Sequence, residues 1–363
     1  MKYVTNFFRV IVGIIFIISG IVKTIDPIGF SYKLEEYFGE GVFNISFLEN
    51  LALPLSIFFV IAEVMLGVLL LLGICKKFTV YALLSLIIFF SFLTFYSAYF
   101  NKVTDCGCFG DALKLKPWFS FYKDIILLLF IIILVLGLKY IKPVFPSKIR
   151  ITLVIISFVF CCWIAYMGIA HLPLIDFRPY AIGKDLKKEM NDGIPPEISI
   201  IYTMENSKDK KQKKVSSEEY MNSGIWEDTL WHIIKTDQKI IKEAVLPSVH
   251  DFYIECDGFD RAKEVVNSDK FLVFTIPYAH KLSIIEKAKL RKITNELMQK
   301  NINFVVATND PKIMIPIKSC ITDPTTLKTI NRSVIGLMIL KKGIVVAKYH
   351  VNDLPTIKQI EKL

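Results

Sequence analysis

Five stretches of about twenty apolar residues, separated by short polar loops, fill the first 170 residues of this chain, at 7–22, 52–73, 80–100, 119–138 and 151–170. Few folds absorb that pattern. Lipid offers no partners for backbone N–H and C=O groups, so blocks of this length are predicted to cross a membrane as helices. The first block resembles a secretion signal in position only. It lacks a small-x-small cleavage site and runs on into Lys23-Thr24-Ile25-Asp26-Pro27, so it is read as an anchor. Arg9 and Lys23, near its two ends, are expected to snorkel to opposite interfaces.

Composition averages two unlike halves. The chain is 53% hydrophobic with 28 Phe, too apolar for an ordinary soluble protein, yet its 21% charged residues are too many for one wholly embedded in lipid. Beyond about residue 170 charges are dense and no apolar run is long enough to span. A membrane region followed by a soluble one is therefore predicted.

Loop charge orients the spans. Lys2 and Arg9, then Lys76 and Lys77, then Lys139, Lys142, Lys148 and Arg150 make the N-terminus, second loop and fourth loop purely basic. The first loop instead carries Asp26, Glu35, Glu36, Glu40 and Glu49, and the third carries Asp105 and Asp111 beside lysines. Cytoplasmic loops favour Lys and Arg, so the N-terminus is expected inside, and five spans place the soluble half outside with the third loop. Within the first loop, Phe30, Leu34 and Phe38 recur at helical spacing. That suits a short helix at the interface or a re-entrant segment packed on the bundle.

The third loop contains Asp105-Cys106-Gly107-Cys108-Phe109-Gly110-Asp111. Two thiols one residue apart can close a disulfide only through a sharp bend, which Gly107 permits because it has no Cβ. So small a ring is strained and therefore oxidising, which favours thiol exchange. A bent structural clip is the second reading. Metal binding ranks last, since a closed zinc site needs four ligands and this loop has neither a His nor a third Cys. Glu63 is the other residue singled out, a carboxyl near the middle of the second span. It is either a proton relay or a hydrogen-bond partner beside a quinone, or a packing contact with Tyr96 or Ser97. Lys123-Asp124 reads as an interfacial salt link. Cys161-Cys162 and Cys75 read as packing or structural residues.

The membrane half resembles the DoxX/MauE-like membrane proteins, and within them the MauE-type branch that carries a C-terminal domain. The residues that carry this likeness are Arg9, Gly13, Ser19-Gly20, Lys23, Asp26-Pro27-Ile28-Gly29-Phe30, Ala62-Glu63, Gly67, Gly73, Cys106-Gly107-Cys108-Phe109-Gly110 and Lys123-Asp124. The resemblance covers roughly residues 5 to 140 and implies help in forming disulfides in a partner enzyme subunit. In membrane thiol oxidases of the vitamin K epoxide reductase kind the electrons pass to a quinone, which makes a quinone the candidate acceptor here. The sequence fixes no cofactor.

The soluble half follows the Pro-containing linker 171–180. A strand is predicted at 197–204, the Lys-rich run 208–214 reads as a solvated hairpin tip, and a Trp-bearing segment surrounds Trp226 and Trp231. From 251 the predicted order is strand 251–255, strand 271–276, helix 282–300, strand 302–308, helix 324–330, hairpin 336–349 and helix 354–363. From about residue 245 this order is similar to the thioredoxin fold, but Thr275-Ile276-Pro277-Tyr278-Ala279-His280-Lys281 stands where that family keeps Cys-x-x-Cys. The domain is therefore expected to be redox-silent, a docking module, with His280 at the surface. Whether Cys256 and Cys320 pair is open from spacing alone.

The prediction is an α-helical membrane bundle followed by an α/β thioredoxin-like soluble domain. The bundle comprises a four-helix DoxX/MauE-like core at 1–142, then a fifth transmembrane helix and linker at 143–183, and the extracytoplasmic region is 184–363. The expected function is extracytoplasmic thiol-disulfide chemistry, or maturation of an envelope partner, through Cys106 and Cys108. The protein would then act as a membrane thiol-disulfide oxidoreductase. The alternative is a non-enzymatic envelope scaffold or assembly factor. Expected contacts are an extracytoplasmic protein and membrane lipid, with no nucleic acid and no metal. The expected location is a bacterial inner membrane, N-terminus cytoplasmic and C-terminal domain periplasmic.

Overall fold

A computed structural model describes residues 1–102, 110–113, 115–312 and 319–363. Cys106 and Cys108 lie outside the described residues. The described chain divides into two compact units, one of residues 1–183 with 253–363 and one of residues 184–252.

The larger unit begins with α1 (Lys2–Ile25), α2 (Pro27–Phe38), α3 (Ser46–Asn50), α4 (Ala52–Leu72), α5 (Lys76–Phe100), α6 (Pro117–Leu136) and α7 (Ser147–Ala170). Among the described residues, α1, α4, α5, α6 and α7 are long and apolar enough to cross a membrane. The inward faces of α1, α4, α5 and α6 meet through Val12, Phe16, Leu70, Leu83, Ile131 and Leu134. Phe7, Ile18, Phe58, Phe78, Phe92 and Leu129 point outward, which is tolerable only where lipid surrounds them. Small residues set the α1–α4 spacing. A Cβ on Gly20 would lie 2.6 Å from Val64 Cγ2, and one on Gly67 2.9 Å from the Gly13 carbonyl. α7 packs on α1 and α4 through Cys161, Ile164, Ala165 and Gly168 and leaves most of its surface outward.

α2 shows how local chemistry places an element. Asp26 accepts the Gly29 N–H at 2.8 Å as N-cap, and Pro27 sits at the first helical position, where its missing N–H is harmless. Phe30, Leu34, Tyr37 and Phe38 then pack on Ala52, Val60 and Leu93. The first loop is thus a helix laid against the bundle.

The smaller unit contains α8 (Leu186–Glu189), β1 (Glu197–Asn206), β2 (Gln212–Ser216), α9 (Ser217–Asn222) and β3 (Trp231–Lys242), with an antiparallel sheet ordered β2-β1-β3. The Lys-rich run spans the β1–β2 turn and enters β2. β3 departs from the sequence reading. Its twelve residues are almost all exposed, so no single buried face imposes the period-two signal by which a strand is recognised.

The chain then returns to the larger unit. There follow β4 (Glu255–Cys256), β5 (Phe259–Asp260), α10 (Ala262–Asn267), β6 (Phe271–Ile276), α11 (Ile284–Gln299), β7 (Phe304–Thr308), β8 (Cys320–Ile321), α12 (Pro324–Ile330), β9 (Gly336–Lys341), β10 (Ile344–Tyr349) and α13 (Ile357–Lys362). They form a seven-stranded sheet ordered β10-β9-β6-β7-β8-β4-β5. β6 and β7 run parallel across the α11 crossover, while β9 is antiparallel to β6 and to β10. Every residue of β6 is buried, which accounts for its unbroken apolar run. α11 starts at a capping box in which Ser283 and Glu286 satisfy each other's backbone N–H. Cys256 and Cys320 form a disulfide between β4 and β8, which settles the pairing that spacing left open.

Candidate functional site

Charged residues gather at three places in the larger unit: within the helices, where the helices meet the seven-stranded sheet, and at the linker after α7.

Within the bundle, Lys23 Nζ lies 2.5 Å from Glu63 Oε2, and the two residues are 3% and 4% exposed. The glycine-lined approach of α1 to α4 brings them together. Lys23 also stands 4.9 Å from the centre of the Phe90 ring and 5.5 Å from that of Phe30, close enough for cation–π attraction. Nearby, Asp124 takes a hydrogen bond from Thr94 Oγ1 at 3.1 Å and pairs with Lys123 at 3.1 Å. Lys23, Glu63, Thr94, Lys123 and Asp124 line one cavity of about 30 Å³. That is room for a water or two.

These contacts correct two expectations. Lys23 is not a snorkelling anchor, and Glu63 pairs with it rather than with Tyr96, whose hydroxyl donates to the Val42 carbonyl. A carboxylate and an ammonium at matched depth in lipid lower each other's cost, which outweighs the reach of a lysine stem to water. Arg9 is likewise buried. Its guanidinium donates to the carbonyls of Leu70 and Leu71 at the end of α4, and to that of Lys142, at 2.7 to 2.9 Å.

At the second place, Arg332, just after α12, is 5% exposed. Its Nε donates to Asp26 Oδ2 at 2.7 Å and its Nη2 to Asp111 Oδ2 at 2.6 Å. Beside it Lys328 lies 3.8 Å from Glu35, and Tyr278 Oη donates to the same carboxylate at 2.7 Å. Burial pushes the Tyr32 phenol up to about 12, and burial followed by the Glu35 bond raises that of Tyr278. Both phenols therefore stay neutral at any ordinary pH. The turn after β6, where the sequence has no Cys-x-x-Cys, is occupied by this contact with α2, while His280 faces outward.

The linker is fixed by a third ionic group. Asp176 is bound by Arg178 Nε at 2.6 Å and by Lys348 Nζ at 2.6 Å. Burial opposes ionisation of Asp176, but the two cations outweigh it and hold the acid down at about 2. Burial, with Arg178 adding to it, brings Lys348 down to about 7 against the pull of Asp176.

Of the described cysteines outside the disulfide, Cys75 is exposed before α5, and Cys161 and Cys162 are adjacent within α7. The structure brings Glu63 together with Lys23, Lys123 and Asp124. The sequence reading named all four but did not pair Glu63 with Lys23. It missed Arg332 entirely. The one signal for it was the excess of acid in the first loop, which calls for a cation from elsewhere.

Five membrane-length helices with buried charges at their centre, joined to an extramembrane sheet, define a multi-pass membrane protein. Residues 1–137 match the family described as methylamine utilisation protein MauE, so the membrane region is MauE-like. No curated protein and no solved structure matches the chain.

Proposed function

We propose that this MauE-like membrane protein supports maturation of an extracytoplasmic partner by thiol-disulfide exchange at Cys106 and Cys108. The observation that carries the reading is the Cys256–Cys320 disulfide. It points to an oxidising compartment for the sheet domain, in keeping with the basic N-terminus and the acidic first loop, and it leaves those two thiols out of the reckoning. Cys75 is single, and Cys161 and Cys162 sit within a span. The Cys-Gly-Cys run, inside the stretch that matches the family, remains as the pair suited to exchange.

In the forward reaction a partner thiolate attacks one sulfur of the Cys106–Cys108 disulfide and releases the other as a thiolate. A second partner thiolate then attacks the mixed disulfide. The partner leaves with a new disulfide and the pair is left as a dithiol. Re-oxidation needs an acceptor of two electrons and two protons, either a quinone or the disulfide of a second protein. For the sheet domain we propose a thioredoxin-like fold without redox chemistry. The strand order β10-β9-β6-β7 with its single parallel pair supports this, as does the absence of Cys from the turn after β6.

The test is thiol trapping in intact cells. A Cys106→Ser or Cys108→Ser variant is expected to accumulate a mixed disulfide with an envelope protein that reductant releases. A pair that stays permanently bridged or permanently reduced, with envelope thiols unchanged in the variants, sinks the reading. The scaffold alternative then takes its place.

A further inference from the structure

We propose that the sheet domain rests on the bilayer through the first turn of α11, with Ile284 and Ile285 entering the headgroup layer and the neighbouring lysines meeting anionic lipid. This contact involves neither Cys106 nor Cys108, and it holds on whichever face of the membrane the domain lies.

Topology fixes which end of the sheet faces the spans. The turn that follows β6 carries Tyr278, whose hydroxyl donates to Glu35 of α2 at 2.7 Å. β9 runs antiparallel to β6, and shortly before its start Arg332 binds Asp26, the residue that ends α1 and caps α2. β10 runs antiparallel to β9. Beyond its end Asn352 donates to the Ala170 carbonyl at 2.8 Å and Asp353 meets His171 at 2.8 Å, both at the end of α7. All three contacts therefore belong to one end of the sheet. The ends of α1 and α7 are themselves together, since a Cβ on Gly168 would lie 2.6 Å from the Ile25 carbonyl. That end of the sheet domain thus stands at the level where two spans leave the lipid.

α11 starts at the same end. It is the crossover between the parallel strands β6 and β7, so it begins beside the turn after β6 and runs away from the bundle. Burial lowers the His350 imidazole, and Glu286 and Lys289 of α11 act on it along with Asp353 and His171. The first turns of α11 therefore lie beside the loop that touches α7. Ile284 is 87% exposed and Ile285 71%, more than Phe58 or Leu129 on the outward faces of the spans. Neither belongs to the core, which α11 meets through Leu290, Ile293 and Leu297. From Lys281 to Lys292 the chain carries five cations, Lys281, Lys287, Lys289, Arg291 and Lys292, against Glu286, whose carboxylate is held by Ser283 in the capping box. Ile285 and Lys289, four apart, share a face of the helix. An apolar tip rimmed with lysine suits the boundary between acyl chains and anionic headgroups, because the stems lie along lipid while the charges reach phosphate. A soluble partner fits less well, since the turn lies where the bilayer already stands.

The experiment uses the full-length protein, one copy per nanodisc, in phosphatidylcholine and phosphatidylglycerol in equal parts. Cys75→Ser, Cys106→Ser, Cys108→Ser, Cys161→Ser and Cys162→Ser clear the background while the Cys256–Cys320 disulfide stays. A nitroxide is then attached through Ile285→Cys or, about 20 Å further along the helix, through Met298→Cys. At the first position, collisions with oxygen, which dissolves in lipid, are expected to exceed those with a water-soluble nickel chelate at least about threefold, and at the second the order is reversed. Nickel prevailing at both positions overturns the proposal, because the turn then stands in water. Exclusion of both reagents at the first position overturns it too, with protein rather than lipid as the cover. The unsubstituted protein supplies an independent reading. Hydrogen exchange over the first turn of α11 is expected to be at least about twofold slower in the mixed lipid than in phosphatidylcholine alone. Equal exchange in the two lipids overturns the part assigned to the lysines.

Discussion

Lys23 and Glu63 show what a charge inside a membrane protein requires. Each alone is costly in a span, and their 2.5 Å contact, with Phe90 beneath the ammonium, makes the pair tolerable. Loss of one partner leaves the other buried and uncompensated, whereas loss of both leaves an apolar contact. Lys23→Met is therefore expected to lower stability by about 3 to 5 kcal/mol, and Lys23→Met with Glu63→Leu to recover most of it. Thermal unfolding in lipid nanodiscs checks this. A single variant as stable as the parent would mean that the pair adds nothing to stability.

Among the elements, β4 and β8 are, with β5, the shortest strands, at two residues each. Their disulfide closes a loop of 64 residues, and constraint of the unfolded chain by such a loop stabilises by about 4 kcal/mol. Cys256→Ala with Cys320→Ala is expected to lower the denaturation midpoint of the sheet domain while leaving the helical signal of the bundle in place. Coincident loss of both signals would contradict this. The longer elements were legible in the sequence, because α12 begins at Asp323-Pro324 and β10 ends a hairpin whose turn is Lys342-Gly343. The spans were legible from apolar length. β3 was not, having no buried face, and neither was the Lys23–Glu63 pair. A periodic pattern tells which face a residue is on but not which helix stands opposite. Arg332 was illegible for a related reason, since the carboxylates that define its role come from the other end of the chain.

At the scale of the whole molecule, the orientation drawn from loop charge has a direct test. Cys75 is exposed between α4 and α5 at the end expected to face the cytoplasm. In a Cys106→Ser, Cys108→Ser background, a membrane-impermeant maleimide is expected to label Cys75 only after the membrane is opened. A tag after Leu363 should meanwhile be open to protease from outside. The reverse pattern would invert the topology and with it the oxidising setting of the third loop. The clamp at Arg332 also has a history in time. Asp26 leaves the ribosome 306 residues before the arginine that will bind it. At about 5 to 20 residues per second, Asp26 waits about 15 to 60 seconds for that arginine. For that interval the newborn bundle is an acidic surface open to any basic protein nearby, and arrival of the last hundred residues closes it.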